Sequence, residues 1–152
     1  MKTTILAAAF AALAPLSALA ADIMAMEPFA FATAPTAKAG GAYVSLMNHG
    51  SADRLIGVKG DIAKRIEIHE HIKDGDVMRM RQVEDGLELP EGGVIEMGPG
   101  GYHVMLMGLS GPLAEGKTFP LTLVFESGAE MAVEVAVKAR SEHGMKHGHS
   151  SD

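Results

Sequence analysis

The chain has 152 residues, a formal net charge of −6, 11 methionines, seven histidines and no cysteine. Its negative charge argues against nucleic acid and anionic membrane surfaces as partners. The absence of cysteine excludes a disulfide framework, a CxxC redox pair and a lipid-modified cysteine within these residues.

Residues 1–20 have the pattern of a secretory signal peptide. Lys2 provides the positive start, Ile5 to Leu13 the apolar segment, and Ala18-Leu19-Ala20 the small-residue cleavage site. No stop-transfer pattern follows the apolar segment, so membrane insertion is not expected. We therefore expect an exported protein that is soluble after cleavage and whose mature chain begins at Ala21.

The next part of the chain consists of short apolar segments separated by Gly, Pro, Asn and Asp. This pattern predicts β strands, and their number and spacing predict one all-β domain over residues 21–139. An antiparallel β-sandwich or a small barrel fits such a series of strands. The predicted strands are Ala42–Met47, Leu55–Val58, Ile66–Ile72, Val77–Val83, Val94–Met97, His103–Leu109, Leu121–Phe125 and Ala129–Val137.

Residues 140–152 differ from the rest of the chain because they are polar and almost free of apolar side chains. Such a segment has too little apolar surface to offset its ordering entropy, so a disordered tail is expected. It contains His143, Met145, His147 and His149, and imidazole nitrogen favours Cu(II) more than thioether sulfur does. The tail is therefore a possible Cu(II) site, the alternative being a polar tail with adventitious affinity.

The strongest candidate metal ligands are His69, Met80, His103 and Met105. Thioether sulfur suits Cu(I), and imidazole is acceptable to copper in both oxidation states. Side chains alternate between the faces of a strand, so His103 and Met105 share one face. If the strands that carry His69 and Met80 lie beside them, the sequence predicts a soft, neutral copper site on one face of the sheet.

Several neighbouring side chains share the predicted faces of these ligands. His71 lies on the face of His69, Met78 on the face of Met80, and Met107 on the face of His103. We regard them as less favoured ligands. Tyr102, Val104 and Leu106 are expected to point to the opposite side and enter the core. The remaining methionines of the domain are expected to pack and not to bind metal: Met47, Met97 and Met131 as core residues, and Met24 and Met26 near the mature N-terminus.

Three segments resemble the PCu(A)C family of periplasmic copper chaperones: Ile68-His69-Glu70, Val77 to Arg81, and Pro99 to Leu109. The signature of that family is a histidine, ten residues, a methionine, about twenty-one residues, and then His-x-Met. Residues 70–79 supply the ten, and residues 81–102 supply twenty-two. The one additional residue falls in a Gly- and Pro-rich connection, where an insertion costs little. The similarity extends from Asp22 to about Lys138.

The resemblance implies a cupredoxin-like β-sandwich that binds one Cu(I) through the four candidate ligands. It also implies a periplasmic, monomeric carrier without enzymatic activity that serves cytochrome c oxidase assembly, in particular the CuA centre. The implied partners are the copper-bearing subunit of that oxidase and a Sco-type thiol protein. Some members of the family carry similar tails associated with Cu(II).

Three other interpretations remain open from the residues alone. The same site could sequester copper in a resistance protein instead of delivering it. A secreted metalloenzyme is conceivable because Glu67 and Glu70 lie beside His69, although methionines are poor zinc ligands. A metal-free interaction domain is the third.

Overall fold

The computed structural model describes residues 22–140, so the predicted signal peptide and the tail from residue 141 onward lie outside the described residues. Within this range no helix is long and apolar enough to span a membrane. The described part contains ten β strands: β1 (Ile23–Phe31), β2 (Ala39–Asn48), β3 (Asp53–Lys59), β4 (Ala63–Asp74), β5 (Val77–Gln82), β6 (Leu87–Leu89), β7 (Val94–Ile95), β8 (His103–Leu109), β9 (Thr118–Phe125) and β10 (Glu130–Lys138).

The strands form one hydrogen-bonded path in the order β5-β4-β8-β2-β1-β10-β9-β3-β6, and β7 pairs with β2 beside this path. Strands from both halves of the path contribute to a single hydrophobic core, so the sheet folds over itself as an open sandwich. The prediction of an all-β sandwich is confirmed, whereas the small barrel is not, because the path does not close.

The strand pairs are antiparallel with one exception, since β1 and β10 run parallel. A parallel pair needs a long connection, and these two strands are the first and the last of the described residues in chain order. They can therefore pair in this direction without a tight turn between them.

Alternation of side chains builds the core. On β9, Leu121, Leu123 and Phe125 are buried, while the residues between them face outward. On β8 the buried aliphatic residues are Val104, Leu106 and Leu109, and burial of the first two was predicted. Each fully buried side chain of this size contributes about 1.5–3 kcal/mol relative to an exposed one. The period of two therefore fixes which face of each strand meets the core.

Two strands were not predicted, and each lacks a clear alternating pattern. β1 contains a β-bulge between Met26 and Phe29, with Glu27 at a positive φ of 45°. A bulge inserts an additional residue and shifts the alternation, so the period of two is lost along β1. β6 has only three residues, which are too few to show a period.

Three predictions of burial can be compared directly with the structure. Met97 is buried, as expected. Met47 was expected in the core but is half-buried on the outer face of β2, and its cross-strand partner Met24 is 53% exposed. Tyr102 was also expected in the core and is exposed at 38%. Tyr102 precedes β8 and lies in a turn in which the Gly98 amide donates a hydrogen bond to the Tyr102 carbonyl. Strand alternation does not apply in this turn.

Candidate metal site

The predicted ligands lie on three adjacent strands, β5, β4 and β8. Cross-strand partners point to the same face of a sheet, so the register decides which side chains meet. The sequence could only assume this pairing, and the structure supplies it. The register places three pairs side by side: His69 with His103, His71 with Met80, and Glu67 with Met105.

The two methionines lie on opposite sides of the histidine pair. Met80 is level with His71, and Met105 is level with Glu67. His71 and Glu67 are four residues apart on β4, which corresponds to roughly 13 Å along the strand. The pair formed by His69 and His103 lies halfway between these levels. An ion held at this pair can therefore receive one sulfur from each side.

Hydrogen bonds fix which nitrogen of each paired histidine is free. The Nε2–H of His69 donates to the Glu67 carboxylate at 2.8 Å, and the Nδ1–H of His103 donates to the Gly101 carbonyl at 3.1 Å. Both acceptors lack a proton to donate, so these nitrogens carry the hydrogens in the neutral rings. The lone pairs remain on Nδ1 of His69 and Nε2 of His103. Such outer partners commonly orient histidines that bind metals.

Two buried nitrogens at this face have no hydrogen-bond partner among the described residues: Nδ1 of His69 and Nδ1 of His71. A buried polar atom without a partner is costly unless another group satisfies it. For His69 this atom is the nitrogen whose lone pair is free. The donor set therefore fits a metal ion at the level of the histidine pair.

His103 is the most buried histidine of the site, with 3% of its surface exposed. Burial lowers the pKa of His103, its hydrogen bond to Gly101 opposes this, and the nearby His71 and His69 lower the pKa further. The neutral ring, which is the form that binds a metal, therefore persists to more acidic pH than in an ordinary histidine. The candidate site is therefore buried at this point, on the side of β8.

Aromatic rings extend from the site along the same face. The ring of Tyr43 on β2 lies 6.5 Å from His103 and stacks on Phe29 at 4.9 Å, and Phe31 contacts both rings at their edges. Burial raises the pKa of Tyr43, so its hydroxyl stays protonated at neutral pH. The guanidinium of Arg140 lies 5.8 Å from the ring of Phe31. The last described residue is therefore on the same face as the site.

The other side chains named from the sequence are arranged less favourably. The sulfur of Met107 lies 3.2 Å from a guanidinium nitrogen of Arg65, a cation that disfavours a metal at this sulfur. Met78 is 56% exposed at the edge strand β5. The tail residues were also named as a site, but they lie outside the described residues: His143, Met145, His147 and His149.

The carboxylates that suggested a metalloenzyme serve other contacts. Glu67 lies between His69 and Arg65, and Glu70 forms an ion pair with Arg81. In residues 22–140 no group of three or more His, Asp and Glu side chains is arranged to hold a metal ion. The sequence placed Glu67 on the face of His69 but did not reveal that it orients the ring. Its position two residues before His69 was the available signal.

The profile of a family described as "Putative lipoprotein LpqE-like" matches residues 23–137. The chain is 33% identical over 98 residues to "Putative lipoprotein Lxx21020" of Leifsonia xyli subsp. xyli. This alignment covers 64% of the present chain and only 59% of the length of that relative.

Several solved structures have a similar fold, and two of them are bound to copper. The copper-bound PCuAC domain from PmoF2 matches with a TM-score of 0.64 and 28% identity, over 78% of this chain and 94% of that one. The solution structure of CuI-DR1885 from Deinococcus radiodurans matches with a TM-score of 0.59 and 27% identity, over 84% and 85% of the two chains. The cupredoxin-like fold is thereby confirmed, as is the resemblance on which that expectation rested.

Proposed function

Since the chain belongs to the LpqE-like family and shares its fold with copper-bound PCuAC domains, we propose that it is an exported copper chaperone. It binds one Cu(I) through His69, Met80, His103 and Met105 and passes the ion to another copper protein. Copper is the cargo of the protein, and no reaction is catalysed. The PCuAC family consists of copper chaperone-type domains and is not a known enzyme family.

The observation that carries this proposal is the pair of free imidazole nitrogens between two thioethers. Nδ1 of His69 is buried without a partner in the described residues, and the hydrogen bond of His103 to Gly101 leaves its Nε2 free. Two neutral nitrogens and two sulfurs form a donor set that favours Cu(I) over the harder divalent ions. Neither sulfur titrates, so only the histidines compete with protons for the metal.

The two methionines differ in exposure in a way that suits delivery. Met105 is half-buried, whereas 47% of Met80 is exposed. An acceptor can therefore approach the ion from the side of β5 and replace its ligands one at a time. This arrangement favours transfer over permanent storage. A resistance protein that only sequesters copper would have less use for an exposed ligand.

The proposed acceptor is the copper-bearing subunit of cytochrome c oxidase in the periplasm, at its CuA centre. This part of the proposal rests on the PCu(A)C resemblance. Because the chain contains no cysteine, a separate Sco-type thiol protein would supply any reduction of acceptor cysteines. Transfer of Cu(I) to the apo form of an oxidase copper domain would distinguish delivery from sequestration.

An anaerobic Cu(I) competition titration tests the site itself. We expect one tightly bound Cu(I) in the purified protein and loss of that binding in His103→Ala and Met105→Ala. The matched controls are His49→Ala, in an exposed turn, and Met47→Ala, which is half-buried on the outer face of β2. Weak binding that is indifferent to the two site substitutions would refute the proposal.

The tail is proposed to capture Cu(II) through His143, Met145, His147 and His149. Supporting this, the chain leaves residue 140 on the face that carries the site. An extended chain covers about 3.3 Å per residue, so the segment from Arg140 to His147 could span roughly 23 Å. Deletion of residues 141–152 should remove Cu(II) binding and leave the Cu(I) affinity of the ordered site intact. Unchanged Cu(II) binding would exclude this role.

A further inference from the structure

We propose that His71, together with Met80 and Met78, forms an outer copper station through which Cu(I) enters and leaves the inner site. The inner site here means the proposed Cu(I) site of four ligands, His69, Met80, His103 and Met105. This inference rests on the proposed function and adds a path to it. Met80 belongs to both positions, because it is the cross-strand partner of His71 and also a ligand of the proposed inner site.

His71 is placed to exchange an ion with the inner site. Its ring stacks on that of His103 with a centroid distance of 4.8 Å and an interplanar angle of 29°. His71 is therefore closer to His103 than His69 is, since the latter two rings lie 6.0 Å apart. The backbone amide of His71 donates to the Gly101 carbonyl at 3.3 Å, and the same carbonyl accepts from the His103 ring. One carbonyl thus ties both histidines together.

The free nitrogen of His71 indicates an unused donor. Its Nδ1 is buried and has no hydrogen-bond partner in the part of the chain that the structure describes. His69 differs, because Glu67 holds its ring through Nε2. The described His, Asp and Glu side chains do not place three donors around one ion. His71 is thus an alternative to His69 as a ligand and not an addition to it.

Exposure increases in one direction along this row of soft ligands. His103 is 3% exposed, Met80 is 47% exposed and Met78 is 56% exposed. Each level along β4 and β5 lies about 7 Å beyond the previous one, which the flexible thioether side chains can bridge. The cross-strand partner of Met78 is Lys73, which is exposed, so solvent screens its charge.

In the opposite direction the next thioether already contacts a side chain of the protein. Beyond Met105 on the same face lies Met107, whose sulfur lies 3.2 Å from the guanidinium of Arg65. The guanidinium occupies this thioether by direct contact, so the sulfur is not available to Cu(I). The ligands on the β5 side have no such contact among the described residues. The path to solvent therefore runs over His71 and Met80.

Stopped-flow transfer of Cu(I) from the loaded protein to bicinchoninate, a Cu(I) chelator, tests this path. The variants are His71→Gln and Met78→Leu, with His49→Gln and Met24→Leu as controls. Met24 matches Met78 in exposure, at 53% against 56%, and lies on β1, away from β4 and β5. We expect both test variants to slow transfer about tenfold, which corresponds to about 1.4 kcal/mol in the barrier. The equilibrium affinity for Cu(I) should change less than the rate.

The outcomes separate this inference from the proposed function. Unchanged transfer rates in both test variants, or equal slowing in the controls, would overturn the outer station. A loss of Cu(I) affinity in His71→Gln as large as that in His103→Ala would also overturn it, because His71 would then be a resident ligand. Loss of the proposed function itself would appear in the equilibrium titration, as Cu(I) binding that does not depend on His103.

Discussion

Two halves of the sheet bury similar aliphatic side chains on their inner faces but carry different side chains on their outer faces. The site half consists of β5, β4 and β8, and the closed half of β10, β9 and β3. Both send aliphatic side chains inward, for example Leu106 on β8 and Leu123 on β9, each with no exposed surface. Outward, the closed half presents Thr122 and Glu134, whereas the site half presents histidines and methionines. The fold requires only the inner pattern, so the outer face of a strand can carry chemistry.

The largest expected effect separates two neighbouring residues of β8. Leu106→Ala should lower the free energy of unfolding by about 2–5 kcal/mol, because it opens a cavity in the core. Met105→Ala removes a half-buried side chain from the outer face, so its effect on unfolding should be much smaller. Urea denaturation of both apo variants measures this difference. Equal destabilisation would mean that the outer face also supports the fold.

The sequence predicted the inner pattern better than the outer arrangement for a physical reason. Burial imposes a period of two that is visible within a few residues, and so β8 and β9 were predicted in nearly correct positions. The meeting of His69 with His103 depends on pairing between strands far apart in the chain, which no local pattern encodes. The strand β1 was not predicted, because its bulge shifts the alternation of buried and exposed side chains. The PCu(A)C resemblance, and not periodicity, grouped the four candidate ligands into one proposed site before the strand register was known.

The second prediction concerns the carboxylate that holds His69. Glu67→Ala removes the acceptor of the His69 Nε2–H, so the ring loses its orientation and its fixed tautomer. Cu(I) affinity should fall about 10–100-fold, the usual range for a lost outer partner of a metal ligand. The matched control is Glu70→Ala. Its side chain is 19% exposed against 17% for Glu67, but it pairs with Arg81 and does not contact His69.

Competition titration at one pH compares the two variants. If Glu70→Ala weakened Cu(I) as much as Glu67→Ala, the effect would be a general one of charge near the site. If neither variant changed the affinity, Glu67 would serve only its ion pair with Arg65. The comparison thus tests whether Glu67 specifically orients His69 or whether any negative charge near the site has the same effect.

The smallest effects should appear as two separate pH ranges, one for each half. In the site half, burial is the main cause that lowers the pKa of His103 below its ordinary value of about 6.5. In the closed half, burial acts to raise the pKa of Asp53, but hydrogen bonds from Ser127 and the Arg54 amide outweigh it and hold the pKa below its ordinary value. In both cases the unfolded chain binds a proton more readily than the folded one.

Stability therefore falls as pH decreases in each range, by at most about 1.4 kcal/mol per pH unit for one group. For His103 the loss begins near pH 6.5, where the unfolded ring starts to take up its proton, and it ends once the pH is below the folded pKa. For Asp53 it begins near pH 4. Urea unfolding of the apo protein between pH 3 and 8 should show a smaller loss in the upper range for His103→Gln, and a smaller loss in the lower range for Asp53→Asn. If either variant altered the other range instead, the two halves would not titrate independently, and the outer face of the site half would be coupled to the closed half through the core that they share.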